Sequence, residues 1–180
     1  MKKCISVFLA MCMALSMCVS ASAYSDRTDA LVIDWSQVDT SMLIPGVPYH
    51  RSARPEVMPL STSERQHFLA WIYNVPQADP SGLHTSDKTF GDSFKFSEGD
   101  TGCVNVSFIQ STPSVDSVNI AIFDITEYEV ADWVTVYAGK TEQLYVDLDE
   151  YGDDNYKMVI SHNSAYNTIN ARVKVTIAEE

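Results

Sequence analysis

Residues 67–180 predict an all-β fold: an antiparallel β-sandwich of jelly-roll type, with a closed β-barrel as the alternative. Three observations lead there. Apolar and polar residues alternate through seven successive runs that begin roughly ten to fifteen residues apart. Polar, turn-rich connectors separate the runs: SEGDTG, STPSVD, AGKTE, EYGDDN and SAYNTIN. No long helical period lies between them, which excludes the crossover helices that a parallel sheet needs. Antiparallel strands with one buried and one wet face remain.

The chain opens with Lys2 and Lys3, an apolar stretch over 5–19, and the small-residue site Ala21-Ser22-Ala23. That pattern is a secretory signal peptide over 1–23, cleaved after Ala23. The apolar stretch is too short for a comfortable membrane span. Met11 precedes Cys12 and Met17 precedes Cys18, where lipid modification needs a small residue. The expectation is a secreted protein with no membrane insertion after cleavage. Cleavage removes Lys2, Lys3 and no acidic residue, so the net charge of −12 becomes −14. It also removes Cys4, Cys12 and Cys18, leaving Cys103 alone and no internal disulfide. Cys103 stands at the start of an apolar run and reads as a buried, inert thiol. The acidity argues against nucleic acid and anionic lipid as partners, since both need clustered Lys and Arg.

Residues 24–66 hold Pro45, Pro48, Pro55 and Pro59 with Arg27, Arg51 and Arg54. Repeated proline interrupts helices and ladders. This irregular segment is expected to run extended over the surface and to pack against the later domain. Only LVIDW at 31–35 reads as a strand. Ser61-Thr62-Ser63-Glu64 has the form of a capping box. The RQHFLAWIYNV that follows is ambiguous between helix and strand. Its aromatic and β-branched content before Pro76 favours a strand. Residues 77–87 are a polar connector.

The seven runs follow. Phe94 and Phe96 alternate with Ser93, Lys95 and Ser97; Val104, Val106 and Phe108 alternate with Asn105 and Ser107. Val118, Ile120 and Ile122 come next, then WVTVY at 133–137, then Leu144, Val146 and Leu148. Tyr156, Met158 and Ile160 form the sixth run, and Ala171, Val173, Val175 and Ile177 the seventh. The succession DSFKF, VNVSF, VNIAIFD, LYVDL, NYKMVIS and VKVTI resembles the bacterial pre-peptidase C-terminal domain over about residues 90–177. That resemblance implies a small jelly-roll-like sandwich on a secreted bacterial protein, an accessory module of a kind that in some members binds calcium or carbohydrate. Asp153-Asp154-Asn155-Tyr156 stands where that family commonly carries a Gly-x-Tyr-Tyr pattern.

No GxSxG, HExxH, Walker or GxGxxG motif is present. His50, His67, His84 and His162 are scattered, with no pair at metal-ligating spacing. His162 adjoins a strand end and reads as a surface histidine. Glu127 and Glu129 fall in a connector and read as solvated. No catalytic residue is assigned. The densest chemistry is DLDEYGDDN, whose five carboxylates repel one another unless a hard cation with oxygen ligands relieves them. Asp147, Asp149, Asp153, Asp154 and Asn155 are the calcium-ligand candidates, with a solvated acidic hairpin as the alternative. Three tryptophans and nine tyrosines supply rings that can stack on sugars. Trp133, Tyr137 and Tyr166 are the ligand-binding candidates, with Trp133 as a core anchor in the competing reading. The expected class is an exported, non-catalytic binding or accessory module for a glycan or a surface protein. A structural subunit of a surface assembly is the alternative, and a secreted hydrolase comes third.

Overall fold

The computed structural model describes residues 31–44, 47–58, 61–78 and 88–180. The expected signal peptide, its three cysteines, Arg27 and His84 lie outside the described residues. The described chain is one compact unit over Leu31–Glu180. A 3-10 turn at Trp35–Gln37 precedes nine strands: β1 (Tyr49–His50), β2 (Ser63–Pro76), β3 (Lys88–Phe94), β4 (Asp100–Thr112), β5 (Ser117–Asp124), β6 (Glu129–Tyr137), β7 (Lys140–Tyr145), β8 (Tyr156–Ser161) and β9 (Thr168–Glu179). One short helix, α1 (Leu148–Tyr151), separates β7 from β8.

The strands form two antiparallel sheets, ordered β1-β6-β5-β8-β3 and β2-β9-β4-β7. The pairs β2 with β9, β3 with β8, β4 with β7 and β5 with β6 nest inside one another. The chain is thus one long hairpin, rolled so that successive pairs fall in alternate sheets, which is the jelly-roll arrangement. Neither sheet closes on itself, so the barrel alternative is set aside. The core between the sheets holds Phe68 and Ile72 from β2, Val104, Val106 and Phe108 from β4, Ile120 and Ile122 from β5, Tyr156, Met158 and Ile160 from β8, and Val173, Val175 and Ile177 from β9. These are the alternating apolar positions of the runs, all turned to one side by the two-residue strand period. Gly102 is required where β4 passes the strand-to-helix corner. Its φ is +74, and a Cβ there would stand 2.2 Å from the carbonyl oxygen of Val146.

The ambiguous segment after Ser61 is strand β2, as its aromatic and β-branched content favours, and its capping-box residues open no helix. Three other expectations change at element level. LVIDW is not a strand: the Asp34 carboxylate accepts from the backbone N–H and hydroxyl of Ser36 and turns the chain into the 3-10 turn. Leu148 lies in α1 rather than in the LYVDL strand, because Asp147 accepts from Asp149 N and caps a helical turn. The five-stranded sheet has no wet face along its middle. Every residue of β8 is buried, and so is every residue of β5 after Ser117. Its outer side carries a second apolar cluster, in which Ile33, Trp35, Val38 and Leu43 of the N-terminal segment cover Ala121, Phe123, Val130, Trp133 and Val159.

Candidate functional site

The N-terminal segment reaches the edge of the five-stranded sheet as Tyr49-His50-Arg51, and the two-residue strand β1 forms there. Tyr49 pairs with Trp133 and His50 with Asp132. The alternation of β6 sends Trp133 to the outer cluster and Asp132 to the inter-sheet side. Asp132 is fully buried and accepts three hydrogen bonds: from His50 Nδ1 at 2.5 Å, from its neighbour's backbone N at Trp133 at 2.8 Å, and from Tyr145 N at 2.6 Å. Burial pushes its carboxyl up to about 6, and the Tyr145 amide, the His50 ring and the Trp133 amide work against that rise. Tyr145 ends β7, the edge strand of the other sheet. Arg54 donates to the carbonyl of Gln143 on that same strand. Side chains therefore satisfy backbone groups of β7 that no neighbouring strand pairs, and they tie the two sheets together on this side.

Arg51 makes a second junction. Its Nη1 donates to Asp124 Oδ2 at 2.9 Å and to Glu129 Oε1 at 2.8 Å, and its guanidinium carbon lies 3.6 Å from the centroid of the Tyr151 ring. Asp124 is fully buried and also accepts from the amides of Thr126 and Glu127, closing the β5–β6 turn. Glu129, expected in a connector, opens β6 and is half of this ion-pair cluster. His50 and Asp132 have the spacing of a general-base pair. The Nε2 of His50 faces Arg54 Nη1 at 3.5 Å, and among the described residues no hydroxyl or thiol hydrogen-bonds that ring. Together these contacts fasten the N-terminal segment to both sheets as a strap.

The calcium candidates do not converge. Asp147 caps α1, Asp149 sits in its first turn, and the Asp153 carbonyl accepts from Lys95 Nζ at 2.7 Å. Asp154 lies beside the Asp124 carboxylate, and burial followed by that neighbour raises its pKa. Asn155 uses its backbone, donating to Thr126 Oγ1 and accepting from Ile125 N. Among the described residues no three His, Cys, Asp or Glu side chains gather as a metal would require. Asp147 and Asp149 instead line an open recess of about 370 Å³ with Asp100, Tyr145, Glu179 and Glu180.

The ligand-binding candidates divide. Trp133 is 1% exposed beneath the N-terminal segment, so it cannot offer its ring to a sugar and leaves the ligand-binding set. Tyr137 and Tyr166 are exposed, at the end of β6 and in the β8–β9 connector. Cys103 is free and fully buried, and burial pushes its thiol up. His162 is not at the surface: it is fully buried, burial lowers its pKa, and its Nδ1 lies 2.8 Å from Ser164 Oγ.

Sequence reasoning missed the outer face of the four-stranded sheet. Register places Trp71 beside Arg172 and Gln110, and Leu69 beside Lys174 and Ser107. Leu69 and Tyr73 are exposed and Trp71 is half-buried. Alternation within HFLAWIY, with Phe68, Ala70 and Ile72 turned inward, was the signal available for this face. No family model, no curated protein and no solved structure matches the chain. Among the described residues, no helix is long and apolar enough to cross a membrane.

Proposed function

We propose that this chain is an exported, non-catalytic β-sandwich that acts as a glycan-binding or accessory module, with the outer face of its four-stranded sheet as the binding surface. One observation carries the reading: the N-terminal segment covers one outer sheet face, whereas among the described residues no apolar cluster lies over Trp71, Leu69 and Tyr73 on the other. A half-exposed indole among hydrogen-bonding groups suits the apolar face of a sugar ring, and a rigid sheet holds it without an entropic cost of ordering. The likeness to pre-peptidase C-terminal sandwiches supports the accessory role. The test is a glycan-array screen of the secreted form, repeated with Trp71→Ala. Binding that Trp71→Ala abolishes supports the assignment, and a blank array overturns it.

A second reading is a subunit of a surface assembly. It draws on β2, a 14-residue strand at the edge of its sheet. Register shifts at Gln66–Phe68 and Ile72–Val75 interrupt that edge and make it a poor template for another strand. Light scattering across a concentration series separates the readings, since assembly through β2 requires self-association.

A further inference from the structure

We infer that the open face of the four-stranded sheet takes a carboxylate-bearing saccharide, the cations Arg172 and Lys174 meeting the carboxylate beside the Trp71 ring. This rests on the glycan reading above and narrows it.

Several polar groups on this face are already occupied. Asn105 donates to Glu64 Oε1 at 2.7 Å and accepts from Gln143 Nε2 at 3.2 Å. Ser107 Oγ lies 2.8 Å from Thr141 Oγ1. The neutral side chains over β4 and β7 are thus largely spent on one another. The cations are not. Arg172 and Lys174 have no hydrogen bond or ion pair among the described residues, and Arg172 is exposed. Apart from Lys140 in the β6–β7 hairpin, most other described cations are engaged: Arg51 with Asp124 and Glu129, Arg65 with Asp100, Lys95 with the Asp153 carbonyl, Lys157 with the Gly91 carbonyl. In a chain of net charge −12, with carboxylates in twofold excess over cations, two neighbouring unpaired cations are unusual.

Geometry then defines the ligand. Arg172 and Lys174 are two apart on β9, so they project from the same face about 7 Å apart along the strand. Trp71 is the register partner of Arg172 and Leu69 of Lys174 across the β2–β9 ladder, one strand spacing away. The unspent groups are therefore cationic donors, an indole face and the Gln110 amide. Donors without matching acceptors call for an anion, and a guanidinium fork matches a carboxylate bidentately. A ring to stack on Trp71 within reach of that carboxylate describes a uronic acid. Among the described residues this face carries two unpaired cations, too few for a nucleic-acid backbone. The acidity of the rest of the protein repels long polyanions, so a short oligosaccharide is the right probe.

The experiment is calorimetric titration of the secreted form with oligogalacturonate, with neutral xylo-oligosaccharide, and with oligoglutamate, at low and physiological salt. The expected result is binding of oligogalacturonate alone, weakened by salt. Arg172→Gln with Lys174→Gln should lower affinity about five- to tenfold, and Trp71→Ala by a similar factor. Lys140→Gln, an exposed cation in the β6–β7 hairpin, should leave it unchanged. Unchanged melting temperatures in all variants keep the comparison free of folding defects. Xylo-oligosaccharide binding that needs Trp71 but not the cations would overturn the anionic ligand and leave the glycan reading standing. Equal binding of oligoglutamate would overturn the saccharide in favour of an acidic peptide. Self-association lost in the double variant would make a second copy the occupant. No binding to either saccharide would overturn the anionic-saccharide inference, while the glycan reading stands or falls with the array.

Discussion

The two outer sheet faces of this sandwich are built from the same kind of strand and meet opposite fates. On the five-stranded sheet, Ala121, Phe123, Trp133 and Val159 turn outward, and the chain's own segment covers them with Ile33, Trp35, Val38 and Leu43. On the four-stranded sheet, Leu69, Trp71, Arg172, Lys174 and Ser107 turn outward, and among the described residues no comparable apolar cluster lies over them. The first face is apolar enough to require a cover, because large exposed apolar patches drive association. The second mixes rings with cations and hydroxyls that water can solvate. The difference teaches that an irregular segment can be as much a part of the core as a strand.

The largest test of this contrast removes the indole on each face. Trp133→Ala leaves a cavity under the strap and should cost about 3–5 kcal/mol in denaturant unfolding. Trp71→Ala should stay within about 1 kcal/mol of the parent while altering ligand binding. Similar losses from both would mean that the two faces are equally buried.

Next is the strap's anchor. Arg51→Met strands the buried Asp124 carboxylate, so a loss on the order of 3 kcal/mol is expected. Pairing it with Asp124→Asn should recover part of that loss, and a double-mutant cycle measures the coupling. Additive losses would deny the pair.

A pH series addresses the other fastening. The Asp132 carboxyl titrates near 3.8 when unfolded and near 6 when folded, chiefly through burial. The folded state thus binds this proton more tightly. The stability it contributes is fully present below the unfolded value and is lost as pH rises through about 6. The swing is on the order of 2–3 kcal/mol between pH 4 and 7. Subtracting the stability profile of Asp132→Asn from that of the parent isolates it. A difference curve that is flat, or that rises with pH, rules out the buried-acid account.

The smallest effect is expected from divalent ions. The acidic residues of DLDEYGDDN do not converge, so calcium and magnesium at about 0.15 M background salt should shift the melting temperature equally and slightly, by charge screening. A calcium shift of several degrees that magnesium does not match, lost in Asp149→Ala with Asp153→Ala, would restore the turn as a site.

Much of the sandwich was legible because the pleat has a period of two. The alternation of Val104, Val106 and Phe108, and of Val173, Val175 and Ile177, is a local record of which side is buried. The same period hid the covered face. Ala121 and Phe123 in VNIAIFD, and Val159 in NYKMVIS, are apolar at positions where a wet face calls for polar residues, and they were the local sign that something would lie over them. LVIDW looked like a strand because its hydrophobicity is right for one. The Asp34 carboxylate, accepting from Ser36, bends it away locally. Arg51 and His50 gave no warning of their role, since Asp124, Asp132 and Glu129 stand far along the chain.

Composition and alternation by themselves determined the all-β class, the antiparallel pairing and the inward set of the core, because burial demands a repeat that neighbouring residues carry. Only the tertiary structure decided which face the N-terminal segment covers, which cations find carboxylates, and that Trp133 is sealed while Trp71 is not. Those outcomes depend on packing and charge pairing between residues remote in sequence, and no local period records them.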